Sequence, residues 1–331
     1  MKVSELGEFG LIDLLAKMIA DSQGNRPGSR QIISIIGDDT AAWHVSDSVQ
    51  LATVDSMVQD VHFTLDTITW EELGWKSLAI NLSDIAAMGG VPEYGLVALG
   101  LPGDTDVENI GKIYEGMLEL ANRHDVAVVG GNMCGSPVIS ITITVTGSSP
   151  DGRILRRSTA KPGDLIAMTG YAGSAAAGLA MLKENLQFGA ETATYLRTAF
   201  MRPKPRIAEG QLLLKHGVTT AIDISDGLLA DLRHICEASK VRAQVDADKV
   251  PVHAGMKSKF GERAMELALA GGEEYELLFT ADSEIIDEVK KEATCTVTII
   301  GEITEGEAGK VKAIDAAGKT IKINKAGWEH F

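Results

Sequence analysis

Apolar residues dominate the stretch from Glu71 to Met88, and no proline interrupts it, which predicts a helix. Most of its faces are apolar, as in a helix packed inside a protein rather than laid on its surface. Ser77, Asn81 and Asp84 follow at i, i+4 and i+7 and so share one narrow polar stripe. An ionised aspartate on an otherwise buried helix is costly unless it is paired or bound to a metal. Two readings therefore stand for Asp84: it bridges or caps a neighbouring loop, or its stripe faces a cation site.

Around this helix, strand and helix patterns alternate. Residues 8–20 have the period of a short amphipathic helix, and a polar loop follows at 21–30. Ile32–Ile36 reads as a strand stopping at Gly37-Asp-Asp39, and Val49–Val54 as a second ending at Asp55. Tyr94–Leu101 is a strand, and Asp106–His124 a helix opened by an acidic first turn. Val126–Val129 is a short strand running into Gly130-Gly-Asn132. Val138–Gly147 alternates β-branched residues with Ser and Thr, as in a half-exposed strand. Ala160-Lys-Pro-Gly-Asp164 marks the domain boundary region, dividing the chain into 1–150 and 151–331. The second half contains strands at Leu165–Thr169, Leu277–Thr280 and Val297–Ile300, and Ala221–Ala230 goes from strand to helix. An Ala-rich helix follows Gly173, a helix is opened by Pro203-Lys-Pro205, and another spans 283–292. Leu82-Ser-Asp-Ile85 is faintly echoed by Ile224-Ser-Asp-Gly227, one in each half. The fold class is α/β with mixed sheets in two domains.

Composition narrows the partners. The 331 residues suffice for two cores. A net charge of −15 argues against a nucleic-acid binder but not against phosphate ligands, provided cations stand between carboxylates and phosphate oxygens. Cys134, Cys236 and Cys295 are far apart and lack metal spacing, which fits free thiols in a reducing compartment. No apolar signal core or membrane-length run occurs, so a cytoplasmic protein is expected.

Carboxylates stand where strands stop or helices start: Asp38, Asp39, Asp55, Asp84, Asp223, Asp226 and Glu273. Like charges do not gather without compensating cations, and hard divalent ions such as Mg²⁺ would bridge them to phosphate oxygens. The plainer reading makes Asp38-Asp39 a solvated turn, and Ser225-Asp226 a helix cap. Gly170-Tyr-Ala-Gly-Ser174, between strand and helix, reads either as a phosphate-holding helix start or as a tight turn. Absence of G-x-S-x-G and H-E-x-x-H lowers hydrolase and zinc-peptidase readings.

Taken together, Gly7-Glu-Phe-Gly-Leu-Ile12, Ile36-Gly-Asp-Asp-Thr-Ala-Ala42, Asp55 with His62-Phe63, Lys76 to Gly89, Arg157 to Gly163, Ile222 to Leu228 and Gly271 to Leu277 form an ordered set. This set resembles the thiamine-monophosphate kinases of the aminoimidazole ribonucleotide synthetase superfamily, nearly from end to end. The resemblance implies an N-terminal ATP- and Mg²⁺-binding domain whose sheet forms a homodimer interface, and a C-terminal α/β domain completing the cleft. It implies ATP-dependent conversion of thiamine monophosphate to thiamine diphosphate with several Mg²⁺ ions.

Carried over by position, Asp55, Asp84 and Asp223 would be catalytic. The metal ligands would be Asp39, Thr53, Asp55, Asp84, Asn132, Asp223 and Asp226. Gly131, Asn132, Arg157 and Ser225 would lie around ATP, and His62, Glu273 and Trp328 would contact thiamine monophosphate. Two positions depart from the family pattern. Thr53-Val54-Asp55 stands where Ser-Thr-Asp is usual, and Gly130-Gly-Asn132 where Gly-Gly-Asp is usual. The alternatives are another ATP-using member of the superfamily with a different small acceptor, or a nucleotide- or thiamine-phosphate-binding protein without turnover.

Overall fold

A computed structural model describes residues 5, 7, 10–14, 17, 32–34, 38–45, 48–149, 151–323 and 327–328. The expected N-terminal helix at 8–20 falls largely outside them; Gly10–Leu14 are helical.

The helix Trp70–Ala87 is the one expected from Glu71 to Met88. Thr69 starts it with a capping box, its hydroxyl accepting the Glu72 N–H and the Glu72 carboxylate accepting the Thr69 N–H. Gly89, at φ +72, turns the chain out at the other end, with its N–H on Ala86 O and the Gly90 N–H on Ile85 O. Nearly every side between is buried, because the helix is covered on several faces at once.

One face meets a six-stranded sheet. Its strands are β1 (Ile32–Ser34), β2 (Ala41–Val45), β3 (Ser48–Val58), β4 (Val91–Leu101), β5 (Ala127–Gly135) and β6 (Ser140–Ser149). Their spatial order is β1-β2-β3-β6-β4-β5, antiparallel except for the parallel β4–β5 edge. Alternation along β6 puts Ile141, Ile143 and Val145 under the helix and Thr142, Thr144 and Thr146 on the other face. A second face meets the helix Val107–Arg123 at glycine-mediated contact. A Cβ on Gly74 would lie 1.8 Å from Ile113 O, and one on Gly116 would lie 1.8 Å from Glu71 O. Backbone carbonyls cannot swing aside, so Gly116→Ala must force the two helices apart. It is expected to cost about 1–3 kcal/mol, read as a lower urea midpoint with unchanged slope.

The second half of the chain builds the other sheet from β7 (Leu165–Thr169), β8 (Thr220–Asp223), β9 (Arg242–Asp246), β10 (Leu277–Ala281), β11 (Val297–Thr304) and β12 (Val311–Ile314). Their order is β12-β9-β11-β7-β10-β8. Helices Ser174–Lys183, Ala190–Met201, Ile207–Lys215 and Leu228–Ser239 surround it. The central helix reaches this half too: a Cβ on Gly210 would meet Ala86 O at 2.1 Å, and the Trp75 indole N–H donates to Pro203 O at 2.9 Å. One apolar cluster therefore runs from Leu51 and Ile143 through Leu78 and Leu82 to Phe200, Leu213 and Leu277.

Several expected strands were too short, two of them bearing expected site residues. β3 continues through Asp55 to Val58, and β5 continues through Gly131 and Asn132 to Gly135. Asp55 and Asn132 are thus mid-strand residues, not strand-end ones. Each is carried on by a paired neighbour, Asp55 opposite Ile143 and Asn132 opposite Ala98.

Candidate active site

Asp39, Asp84 and Asp223 each offer a carboxylate oxygen within 4.8 Å of the other two. They come from three separate elements: the segment before β2, the last turn of the central helix and the end of β8. Ser83 donates to Asp223 at 2.6 Å and Thr53 donates to Asp84 at 2.5 Å. The faint Ser-Asp echo lies close to a contact between the halves: Ser83, in the first copy, donates to Asp223, the residue just before the second. Asn81 fixes the neighbouring strand, its Oδ1 accepting the Asp55 N–H at 3.1 Å and its Nδ2 donating to Ser77 O. Of the polar stripe, only Asp84 enters the cluster. The Ser77 hydroxyl turns back to Leu73 O.

Burial pushes the Asp84 carboxyl well above the usual carboxylate range, and the charges of Asp55, Asp223 and Asp39 push it further. Asp223 is raised in the same way, by burial and then Asp39, with Ser83 and Arg157 working against the rise. Asp55 is raised by burial. One cation answers them directly: Arg157 forks onto Asp39, with Nη2 to Oδ1 at 2.8 Å and Nε to Oδ2 at 3.2 Å, while its backbone N–H donates to Asp38. Burial works against the guanidinium charge, yet Asp39, Asp223 and Asp231 hold it protonated. A compact set of hard oxygen donors short of positive charge fits a divalent ion such as Mg²⁺.

The cluster opens into a cleft of about 950 Å³, near the upper end of small-ligand sites. Asp55, Asp84 and Asp223 line one end of it, with Ser225 and Asp226 beside them. His62, Glu273 and Trp328 line it as well. Nδ1 of His62 accepts the Val58 N–H at 3.1 Å, which fixes the tautomer of the neutral ring. The Trp328 N–H donates to Asp226 O, tying the chain end to the cleft wall.

Loops 223–227 and 271–276 run together as a rigid pair. Glu273 N–H donates to Ser225 O, Tyr275 N–H to Ile224 O and Ile224 N–H to Glu276 O. Glu273 and Tyr275 both sit at positive φ, +65° and +54°, a costly backbone state that this pairing sustains. The three glutamates of the turn then separate. Glu273 faces the cleft and Lys76, Glu274 accepts the Ala175 N–H at the start of helix Ser174–Lys183, and Glu276 joins Thr169 and Arg206. The Gly170–Ser174 turn is therefore no phosphate cradle, because the chain's own Glu274 carboxylate occupies that helix start.

Three of the expected site residues stand apart from the three-carboxylate cluster. Asp226 lines the cleft but stands with Asp231 and His234 rather than with Asp39, Asp84 and Asp223. Asp231 accepts the N–H groups of Asp226 and Gly227 there, so this neighbouring group shapes the loop. Asn132 is on the edge strand, exposed, and in register with Ala98, Thr142 and Ser56 on the face turned away from the central helix. Gly131 is three strand steps from Asp55, or about 14 Å at the usual interstrand spacing. Neither Gly131 nor Asn132 lines the cleft, and Asn132 is not a ligand of the three-carboxylate cluster. Two residues escaped sequence reasoning. Ser83 shows in the chain only through the Ser-Asp echo, and Lys76 only as a lone cation in an apolar helix.

Residues 37–149 match the AIR synthase related protein, N-terminal domain, and residues 161–314 match the AIR synthase related protein, C-terminal domain. Fold and cleft together define an enzyme of the AIR synthase-related class. The chain is 37% identical over 303 residues to the thiamine-monophosphate kinase of Bacillus subtilis, covering 89% of this chain and 93% of that protein. It is 33% identical to that of Aquifex aeolicus over the whole of both chains. A solved structure of AaThiL complexed with AMPPCP and TMP superposes with a TM-score of 0.87 at 33% identity, covering 100% of this chain and 99% of that one. The chain belongs to the thiamine-monophosphate kinase family.

Proposed function

We propose that this protein transfers the terminal phosphoryl group of ATP to the phosphate of thiamine monophosphate, giving ADP and thiamine diphosphate. The observation that carries the reading is the meeting of Asp39, Asp84 and Asp223, from three distant segments, at the end of a cleft also lined by His62, Glu273 and Trp328. The full-length likeness to thiamine-monophosphate kinases, one of them solved with AMPPCP and TMP, supports the two substrates.

In this reading Asp39, Asp84 and Asp223, with Asp55 and the Thr53 hydroxyl beside them, hold Mg²⁺. Ions held there would supply electrostatic relief between two polyanions and between the protein's carboxylates and the transferred group. The acceptor is a phosphate monoester whose second pKa is about 6, so it is largely ionised at neutral pH. No side chain has to remove a proton, and none of the carboxylates is assigned as a base. The acceptor oxygen forms the new P–O bond as the bond to the ADP oxygen breaks. The protein's contribution is alignment within a walled cleft. Arg157, beside Asp39, would meet phosphate oxygens near the metal cluster, and Ser225 lines the cleft. Gly131 and Asn132 retain a nucleotide role only by their position in the family pattern.

Residues 1–150 form the nucleotide- and metal-binding domain and 151–331 the domain that completes the cleft. A homodimer belongs to the same proposal. The outer face of the first sheet exposes Val54, Tyr94 and Leu96, 58%, 52% and 47% accessible, with Val54 and Leu96 joined in one row through Thr144. Large exposed apolar side chains set among the threonines of this face make it the docking surface of the proposal. Leu96→Lys is expected to convert a dimer to a monomer in analytical ultracentrifugation. A cytoplasmic setting is consistent with this: among the described residues, no helix is long and apolar enough to cross a membrane.

The test is an assay of purified protein with ATP, Mg²⁺ and thiamine monophosphate, followed for thiamine diphosphate. Turnover that requires a different acceptor, or binding without turnover, overturns the proposal.

A further inference from the structure

Lys76 lies almost wholly inside the protein, 1% exposed, with Nζ 2.7 Å from Glu273 Oε1 and 3.8 Å from the centroid of the Phe200 ring. A buried ammonium is costly, and replacing it with an apolar residue would often stabilise a fold. Its retention inside an apolar helix calls for a use. The partner supplies one, because the Glu273 side chain is 32% exposed and faces the cleft. Lys76, Ile80 and Asp84 all line that cleft at i, i+4 and i+8 of one helix. Eight residues rise about 12 Å, so the carboxylate cluster marks one end of this row and the Lys76–Glu273 pair the other.

A molecule whose phosphate lies at the Asp84 end and which extends along the row presents its ring system to Glu273. Left alone, that carboxylate could follow several rotamers from its strained backbone position. The ammonium below and the aromatic face beside it restrict it to one, pre-organised before a ligand arrives.

We propose that Lys76 is a positioning residue for acceptor recognition. It acts through Glu273, whose held carboxylate selects a cationic heteroaromatic ring system on the phosphate acceptor. This inference rests on the proposed function, since it deepens the choice of acceptor in the same cleft.

The test is a kinetic cycle of Lys76→Met, Glu273→Gln and the double replacement, with thiamine monophosphate and ATP varied in turn. Lys76→Met in the native background is expected to raise KM for thiamine monophosphate about tenfold, with KM for ATP within about twofold and kcat largely kept. In the Glu273→Gln background the same replacement is expected to change that KM by less than about twofold, because a residue acting through a carboxylate has nothing to hold once it is gone. An unchanged acceptor KM in Lys76→Met overturns the inference, as does a loss shared equally by ATP. If the single replacement does not fold, the comparison of Glu273→Gln with the double replacement, which leaves no unpaired buried charge, decides. A further tenfold rise there means that Lys76 acts on its own account and overturns the inference. Failure of the native protein to make thiamine diphosphate sinks the proposed function instead, so the two failures are distinguishable.

Discussion

Asp84→Asn is expected to lower kcat/KM by about 10³-fold, near 4 kcal/mol of transition-state stabilisation, while the metal-free protein melts at a higher temperature than the native chain. The two effects have one cause. Burial and the charges of Asp55, Asp223 and Asp39 make the ionised Asp84 unfavourable unless positive charge is supplied. The amide is neutral and nearly the same size, so it removes the repulsion together with the ligand. It can still accept the Thr53 hydroxyl that now donates to Asp84. For a chain of this size, each kcal/mol relieved raises the melting temperature by about 1–2 °C. Steady-state kinetics and calorimetry in chelator check the pair. Retained activity would remove Asp84 from the site, and a lower melting temperature would mean that its charge is not the strained element.

The second large effect concerns pH and Mg²⁺ together. Asp84, Asp223 and Asp55 have carboxyls raised by folding, so between the unfolded value near 3.9 and their raised values the native state binds more protons than the unfolded one. Stability of the metal-free protein from these groups therefore falls as pH rises through that window. Above it, the carboxylates are ionised and repel. Divalent ions that bind only the native cluster reverse this, and binding at 100-fold excess over Kd contributes about 2.7 kcal/mol. Melting temperature in chelator is thus expected to fall from pH 5 toward pH 8. Added Mg²⁺ should raise it more at pH 8 than at pH 5, where protons compete for the same oxygens. A Mg²⁺ response equal at both pH values would show that the cluster is not where the ion binds.

Much of this arrangement was legible in the linear chain because it depends on local patterns. The central helix follows from an uninterrupted apolar run, and Asp84 stood out as a charge where none is cheap. Gly89-Gly90 closes that helix because the chain must turn at φ +72 there. The strands β7 and β10 were readable from bounded apolar runs flanked by turn residues.

Other features were illegible for equally physical reasons. Asp55 and Asn132 looked like strand ends because polar residues usually stop strands, yet pairing with β6 and β4 carries both strands onward. Asp226 and Asp223 are three residues apart and seemed to share a role. The turn at Ser225 and Gly227 places Asp226 with Asp231 and His234, a second group able to hold a cation, and leaves Asp223 with Asp39 and Asp84. The three glutamates at 273, 274 and 276 look alike in sequence. Only the left-handed backbone at Glu273 and Tyr275 sends them to Lys76, the helix start at Ala175 and Arg206.

By itself the amino-acid sequence determined the alternating α/β elements, the buried helix with one misplaced charge and the acidity that demands cations, because these depend on residue type and short-range spacing. Only the tertiary structure decided which carboxylates share one point in space. That choice depends on β3, the central helix and β8 packing on one another across more than a hundred residues of chain, a distance over which no local pattern carries information.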